Sequence, residues 1–216
     1  MANDLSSMPT LAQAPMAAAN DTAIVQMAFD ICRQLTKRHK KNRLHCDINP
    51  QSIRVDKNGR FHLAEPMGQR DVHFGAPELM WGSTYASFNC DTYSLGLVMY
   101  SLLNDHRVDF ARRAARQPLP PPVHGSEELK ALVMRACAPD PNNRFQTARE
   151  MEQALIDLEY KIKKPIKWGC LIPGIIFGCL AAIVLLAAWL INYYVDTWLG
   201  QFFSELEMMI LEILFG

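Results

Sequence analysis

The chain has 216 residues with 22 basic and 22 acidic side chains, and this zero net charge excludes the strongly basic class of nucleic-acid binders. Its six cysteines form no Cys-x-x-Cys pair, which excludes the common zinc and dithiol motifs and suits a reducing cytoplasm. The charge is unevenly placed. All 22 basic and 18 of the 22 acidic residues precede Trp168, leaving +4 before it and −4 after it.

Residues 1–21 are rich in Ala, Pro and Ser and lack the basic and apolar regions of a signal peptide, so they read as a disordered leader. Asn20-Asp21-Thr22 caps a helix whose apolar residues Ile24, Val25, Met27, Ala28, Ile31 and Leu35 recur at helical spacing, and the basic run Lys37 to Arg43 ends it. A loop, Leu44 to Pro50, leads to a strand at Ile53 to Val55. Asp56-Lys57-Asn58-Gly59 is a hairpin turn signal, and Arg60 to Leu63 is the returning strand. Asp91 to Leu103 reads as a strongly apolar helix, and Gln117 to Val123 as a polyproline-like connector. Ser126 caps a helix with Leu129, Leu132, Val133, Ala136 and Cys137 on one face. Thr147-Ala148-Arg149-Glu150 is a capping box that opens the last helix of the domain, through Met151, Leu155 and Leu158.

From Trp168 to Val195 no residue is charged, and about 20 apolar helical residues suffice to cross a bilayer. Lys161, Lys163, Lys164 and Lys167 lie just before this run. Lys-rich flanks stay on the cytoplasmic side, so the expected topology is a single pass with the domain inside and the tail outside. Gly174 and Gly178 form a small-xxx-small motif, extended by Ala182, that lets two helices approach closely. After Asp196, Leu199, Phe203, Leu206, Ile210 and Ile213 alternate by four and three, with Glu205 and Glu212 on the other face. Without Lys or Arg the tail gains nothing from anionic lipid, so pairing with a copy or a partner is the expected use of that seam. The resulting plan is a leader (1–21), a mainly α domain with a small β-hairpin (22–160), a basic juxtamembrane segment (161–167), a transmembrane helix (168–195) and an amphipathic tail (196–216).

Several segments then resemble one family. Leu44-His45-Cys46-Asp47-Ile48-Asn49-Pro50-Gln51-Ser52-Ile53 resembles the protein-kinase catalytic loop, H-R-D-L-K-P-x-N-I. Phe74-Gly75-Ala76-Pro77-Glu78 resembles the A-P-E end of the activation segment. Asp91-Thr92-Tyr93-Ser94-Leu95-Gly96 resembles the start of the large central helix, and Asp140-Pro141-Asn142-Asn143-Arg144-Phe145 the D-P-x-x-R-F element. The order and spacing are similar to the C-terminal lobe of bacterial eukaryotic-type, membrane-anchored Ser/Thr kinases. The resemblance implies a Glu78–Arg144 buried ion pair, an Asp91 that accepts backbone N–H bonds from the catalytic loop and steadies its own helix start, and a packing role for His45.

Phosphoryl transfer is mostly positioning and charge neutralisation, and the family's parts for it are degenerate here. No Gly-x-Gly-x-x-Gly occurs in these residues, and the catalytic-loop lysine position holds Asn49. The metal-binding asparagine position holds Ser52, and the Asp-Phe-Gly position reads Glu65-Pro66-Met67. Asp47 alone stands unchanged as the remnant of the catalytic base. Cys46 replaces the arginine that would receive a loop phosphate, and 66–77 contains no Ser, Thr or Tyr. The chain therefore reads as a truncated, degenerate kinase lobe, inactive as an enzyme by itself. No metal and no cofactor is expected, residual ATP–Mg²⁺ binding being the point to test. Three functions follow in order: a pseudokinase-like adaptor that binds protein partners at the cytoplasmic membrane face; half of a split kinase completed by a partner small lobe; and a membrane-complex subunit that works through its span and tail. A homodimer through Gly174, Gly178 and the tail fits each of them, and nucleic acid fits none.

Overall fold

The computed structural model describes residues 5–13, 20–66, 71–80, 86–162 and 168–215, which fall into two units, Met1–Lys163 and Lys164–Gly216. Met67, the basic residues at 163–167 and the side-chain surroundings of Gly174 lie outside the described residues.

The first unit begins in earnest at α1 (Asp21–His39), where Asn20 Oδ1 accepts the Ala23 N–H at 2.8 Å as the cap. Ile24, Met27, Ala28, Ile31 and Leu35 are buried along one face. The helix runs into the basic stretch expected to end it, because His39 continues the i, i+4 row from Leu35 and is buried too. Strands β1 (Ile53–Val55) and β2 (Phe61–Leu63) pair antiparallel, with Ile53 opposite Leu63 and Val55 opposite Phe61. Asp56 shapes their turn by accepting from Asn58 N at 2.8 Å and Arg60 N at 2.9 Å. The Arg60 backbone donor, helped by His62, holds the Asp56 carboxyl below the usual carboxylate range.

Both edges of this hairpin are covered. On the β2 side, Gln34 of α1 donates to Phe61 O and accepts from Leu63 N, both at 2.9 Å, and Asp30 accepts from Phe61 N. On the β1 side lies part of the leader. Residues 5–13 are ordered, not disordered as composition suggested: Leu11 N donates to Ile53 O at 2.8 Å and Val55 N to Pro9 O at 3.0 Å. The physical reason is that β1 offers an open row of backbone groups and an apolar seat that leaves Leu11 only 3 % exposed.

The helices α2 (Pro77–Met80, a single turn), α3 (Phe88–Leu103), α4 (Phe110–Ala114), α5 (Glu127–Ala136) and α6 (Ala148–Ile162) complete the unit. Helix α3 is buried on every face and packs against α1, α5 and α6, forming the centre of one apolar core. It starts at Phe88, three residues before the expected Asp91. Asp91 thus sits inside the first turn of α3, where a negative charge favours the helix start, and its carboxylate accepts from the neighbouring loop. Gly96 is where α3 meets α5: a Cβ there would lie 2.6 Å from the Ala136 Cβ. At α6, Thr147 Oγ1 accepts from Glu150 N at 3.1 Å, while the Glu150 carboxylate returns to Gln146 N at 2.8 Å.

The second unit is one helix, α7 (Trp168–Phe215), of 48 residues. At 1.5 Å per residue it is about 72 Å long, more than twice the roughly 30 Å bilayer core. Phe177–Ile210 is long and apolar enough to cross a membrane. The helix passes Asp196, the expected end of the span, without a break.

Candidate functional site

The site is the loop from Leu44 to Ser52, held between α1, β2 and α3. Its entry is fixed by Asp91, which is fully buried. Asp91 Oδ2 accepts from His45 N at 2.9 Å, and Oδ1 from Cys46 N at 2.7 Å. A third donor is His39, whose Nε2 lies 2.8 Å from Asp91 Oδ2 while its ring packs on Phe88. Cys46 adopts φ +60°, the left-handed bend that lets two successive N–H groups point at one carboxylate.

His45 is buried, and its two nitrogens have different partners. Nε2 lies 2.7 Å from Ala64 O and therefore carries the proton, while Nδ1 accepts from Asp47 N at 3.3 Å. The ring joins the loop to the end of the hairpin.

The next three expected residues form one network. Asp47 Oδ1 accepts from Asn49 Nδ2 at 2.9 Å and from Asp71 N at 3.3 Å. Asn49 Oδ1 accepts from Gln51 N and Ser52 N, both at 2.9 Å. Ser52 Oγ closes the turn in both directions, accepting from Asn49 N and donating to Asn49 O at 3.0 Å. All three residues are buried. Glu65 is elsewhere: its carboxylate takes both contacts of Arg38 Nη1, at 2.9 and 2.8 Å, and is mostly exposed. Among the described residues no group of three or more His, Cys, Asp or Glu is placed to hold a metal ion.

Glu78 and Arg144 form a two-point pair. Nη1 meets Oε1 at 2.8 Å and Nη2 meets Oε2 at 3.0 Å, and Arg144 is completely buried. Burial alone would raise the Glu78 pKa, but the Arg144 hydrogen bonds and charge outweigh it and hold the carboxyl below its ordinary value.

Sequence reasoning missed Arg38, His39 and Arg113. His39 was legible as the next step of the α1 apolar row. Arg113 had no such signal, since it lies in a five-residue helix within a basic tract. Its buried guanidinium donates to His73 O and Gly75 O and lies 3.3 Å from the Tyr93 hydroxyl.

A lobe of this fold, carrying these motifs in this order, is similar to the C-terminal lobe of the protein kinases. Comparison with known proteins agrees. The chain is 30% identical over 166 residues to a probable serine/threonine-protein kinase of Clostridium perfringens, covering 65% of this chain and 24% of that protein. It is 29% identical over 160 residues to the serine/threonine-protein kinase PknB of Mycolicibacterium smegmatis, covering 61% and 25%. A probable serine/threonine-protein kinase of Streptomyces coelicolor is 28% identical over 163 residues. The chain is therefore a relative of the protein kinase superfamily, on its bacterial Ser/Thr side, and spans about a quarter of the length of the curated relatives it matches. No protein-family model matches it.

Proposed function

We propose that the chain is a membrane-anchored, pseudokinase-like binding module: a kinase lobe used as a scaffold or signalling adaptor at the cytoplasmic face of a membrane. One observation carries this reading. At the four positions where the family handles nucleotide and metal, Asp47 Oδ1 accepts from Asn49 Nδ2 and Asp71 N, the side chains of Asn49 and Ser52 bond within their own turn, and Glu65 is engaged by Arg38. Side chains bonded in this way within the loop have less to offer a triphosphate and its ions. Helix α7 supplies the anchor. Trp189, Tyr193, Tyr194 and Trp198 lie together on its middle section, as an aromatic belt does at a membrane–water boundary, and the basic residues before Trp168 favour the cytoplasm. The seam from Leu199 to Ile213, with Gly174 and Gly178 on the same helix, suits a homodimer. Disulfide trapping through Leu206→Cys would yield dimer on this reading, and monomer alone would count against it.

The split-kinase reading keeps one support, the unchanged Asp47. Thermal unfolding of the full chain in detergent, with millimolar ATP and Mg²⁺ or Mn²⁺, separates the two, because a ligand of the native state must raise Tm. No shift is expected. A clear shift that disappears in Glu65→Ala would move the split-kinase reading to first place.

A further inference from the structure

Charge in the first unit is segregated. Residues 31–46 hold six basic side chains, Arg33, Lys37, Arg38, Lys40, Lys41 and Arg43, and no acidic one. The rest of residues 1–160 holds 12 basic and 18 acidic residues. The C-terminal end of α1 is therefore a basic pole on an otherwise acidic lobe. Cations in a last helical turn favour the helix dipole, which accounts for Lys37 and Arg38. It does not account for Lys40, Lys41 and Arg43, which lie beyond the last helical residue, His39. The chain turns tightly there. Lys40 N donates to Thr36 O at 3.1 Å, Lys41 N to Arg38 O at 3.0 Å and Arg43 N to Arg38 O at 3.2 Å, with Asn42 at φ +53°. This turn is a fixed mount for the basic side chains. Lys37, Lys40, Lys41 and Arg43 are exposed, and among the described residues none of them has an acidic partner. Glu65, the exposed carboxylate that reaches this stretch, is already bound by Arg38.

We propose that this pole is a docking surface for anionic lipid headgroups, which it uses to lay the lobe on the membrane face. The occupant follows from the charge and from the chain's own anchor. Four exposed cations without acidic partners call for a surface of distributed negative charge, and a helix able to cross a membrane brings such a surface to the same chain. Three of the four are lysines. Their ammonium groups are point charges without the planar fork of arginine, which suits diffuse attraction over shaped recognition of a single phosphate. Each cation close to anionic headgroups adds to the attraction, which fades within a Debye length of about 8 Å. The acidic remainder of the lobe is repelled by the same surface, so docking selects one orientation. The inference rests on the membrane-anchor reading and goes beyond it by giving the lobe a membrane-facing side.

The test places the full chain in nanodiscs of phosphatidylcholine or of phosphatidylglycerol and follows acetylation of its lysines by a neutral reagent, read by mass spectrometry. Lys37, Lys40 and Lys41 should react at least about fivefold more slowly in phosphatidylglycerol, and Lys57, at the hairpin turn, equally in both. Salt at about 0.5 M should remove the difference. The double reversal Lys37→Glu with Lys41→Glu changes exposed residues only, and should return Lys40 to its phosphatidylcholine rate while α3 amides stay protected. Inorganic phosphate added to the phosphatidylcholine discs should leave Lys40 unchanged; slowing by phosphate would make the pole a site for a free anion and overturn the proposal. Equal Lys40 rates in the two discs overturn it as well, and leave the pole to an acidic protein surface. So does slowing that survives the double reversal. A chain that enters neither disc refutes the anchor reading and this inference with it, whereas entry without slowing refutes this inference alone.

Discussion

Arg144→Met is the most informative single change. The methionine keeps the aliphatic packing against Tyr93, whose ring lies 4.3 Å under the guanidinium, but removes four hydrogen bonds. Two of these go to Glu78, one to Ala138 O at 2.7 Å and one to Pro139 O at 3.0 Å. What remains is a partly buried carboxylate that has lost its cation and keeps the Cys90 thiol as a donor at 3.2 Å, and two carbonyls that have lost the guanidinium. Removing one partner of a buried pair costs about 3–5 kcal/mol. At about 1.36 kcal/mol per decade, the slowest α3 amides should exchange roughly 150-fold to several thousand-fold faster if they open by global unfolding. Glu78→Gln leaves the Arg144 charge buried, so the double variant should cost at least about 1 kcal/mol less than the sum of the singles. The pH dependence has a definite sign. The folded Glu78 pKa lies below its ordinary 4.5, so the pair's contribution is present above that value and is lost as pH falls through the folded pKa. An acceleration below about tenfold in Arg144→Met, or strict additivity of the two changes, would refute this account of the pair.

Two further predictions rest on packing and burial. Gly96→Ala should lower Tm by several degrees, because overpacking costs about 1–3 kcal/mol and the helix-propensity gain of about 1 kcal/mol offsets only part of it. Adding Ala136→Gly should recover much of the loss, since the clash is with the Ala136 Cβ at 2.6 Å, and no recovery would mean that the contact is not the cause. Burial pushes the Cys90 thiol up to about 11 and Cys137 up to about 12, and raises Cys32 further still. At pH 8 these three should alkylate only as fast as the lobe unfolds, after the half-buried Cys46, and prompt labelling of Cys137 in the folded protein would contradict the packing around α3.

The helices and the hairpin were legible because their signals are local. Asn20, Ser126 and Thr147 each cap the helix they precede, and the Asp56–Gly59 turn joins β1 to β2. The apolar row of α1 was legible for the same reason, down to Leu35. What local patterns cannot carry is a partner far along the chain. The seat of residues 5–13 exists only once β1 is folded, so a Pro- and Ser-containing stretch with one buried leucine looks like a tail. The bonds from Asp91 to the loop were expected only through the family resemblance, not from any local pattern around it. Its three donors come from residues 39, 45 and 46, and that distance makes it a brace between elements. The turn at Asn49 and Ser52 was visible as a departure from the kinase pattern, but not as a substitute network. A sequence shows that a lysine is missing; only coordinates show that an asparagine has closed the gap on its neighbours.

The segment from Asp71 to Glu78 shows how this lobe holds a loop that has no phosphorylatable residue between Pro66 and Pro77. Asp71 N is tied to Asp47, and Asp71 Oδ1 accepts from His73 N at 2.8 Å. The carbonyls of His73 and Gly75 receive Arg113, and Glu78 receives Arg144. A phosphate orders a loop by offering acceptor oxygens to a cation. Here the relation is inverted: the loop's own backbone supplies the acceptors, and a helix that follows it in the chain supplies the buried cation. Among the described residues Arg113 has no carboxylate partner, and its charge rests on carbonyl dipoles and on the faces of Tyr93 and Phe110. Such a contact has no second chemical state to switch between. The order of the segment is then a constant of the fold, which suits a surface meant to be recognised more than one meant to be turned on.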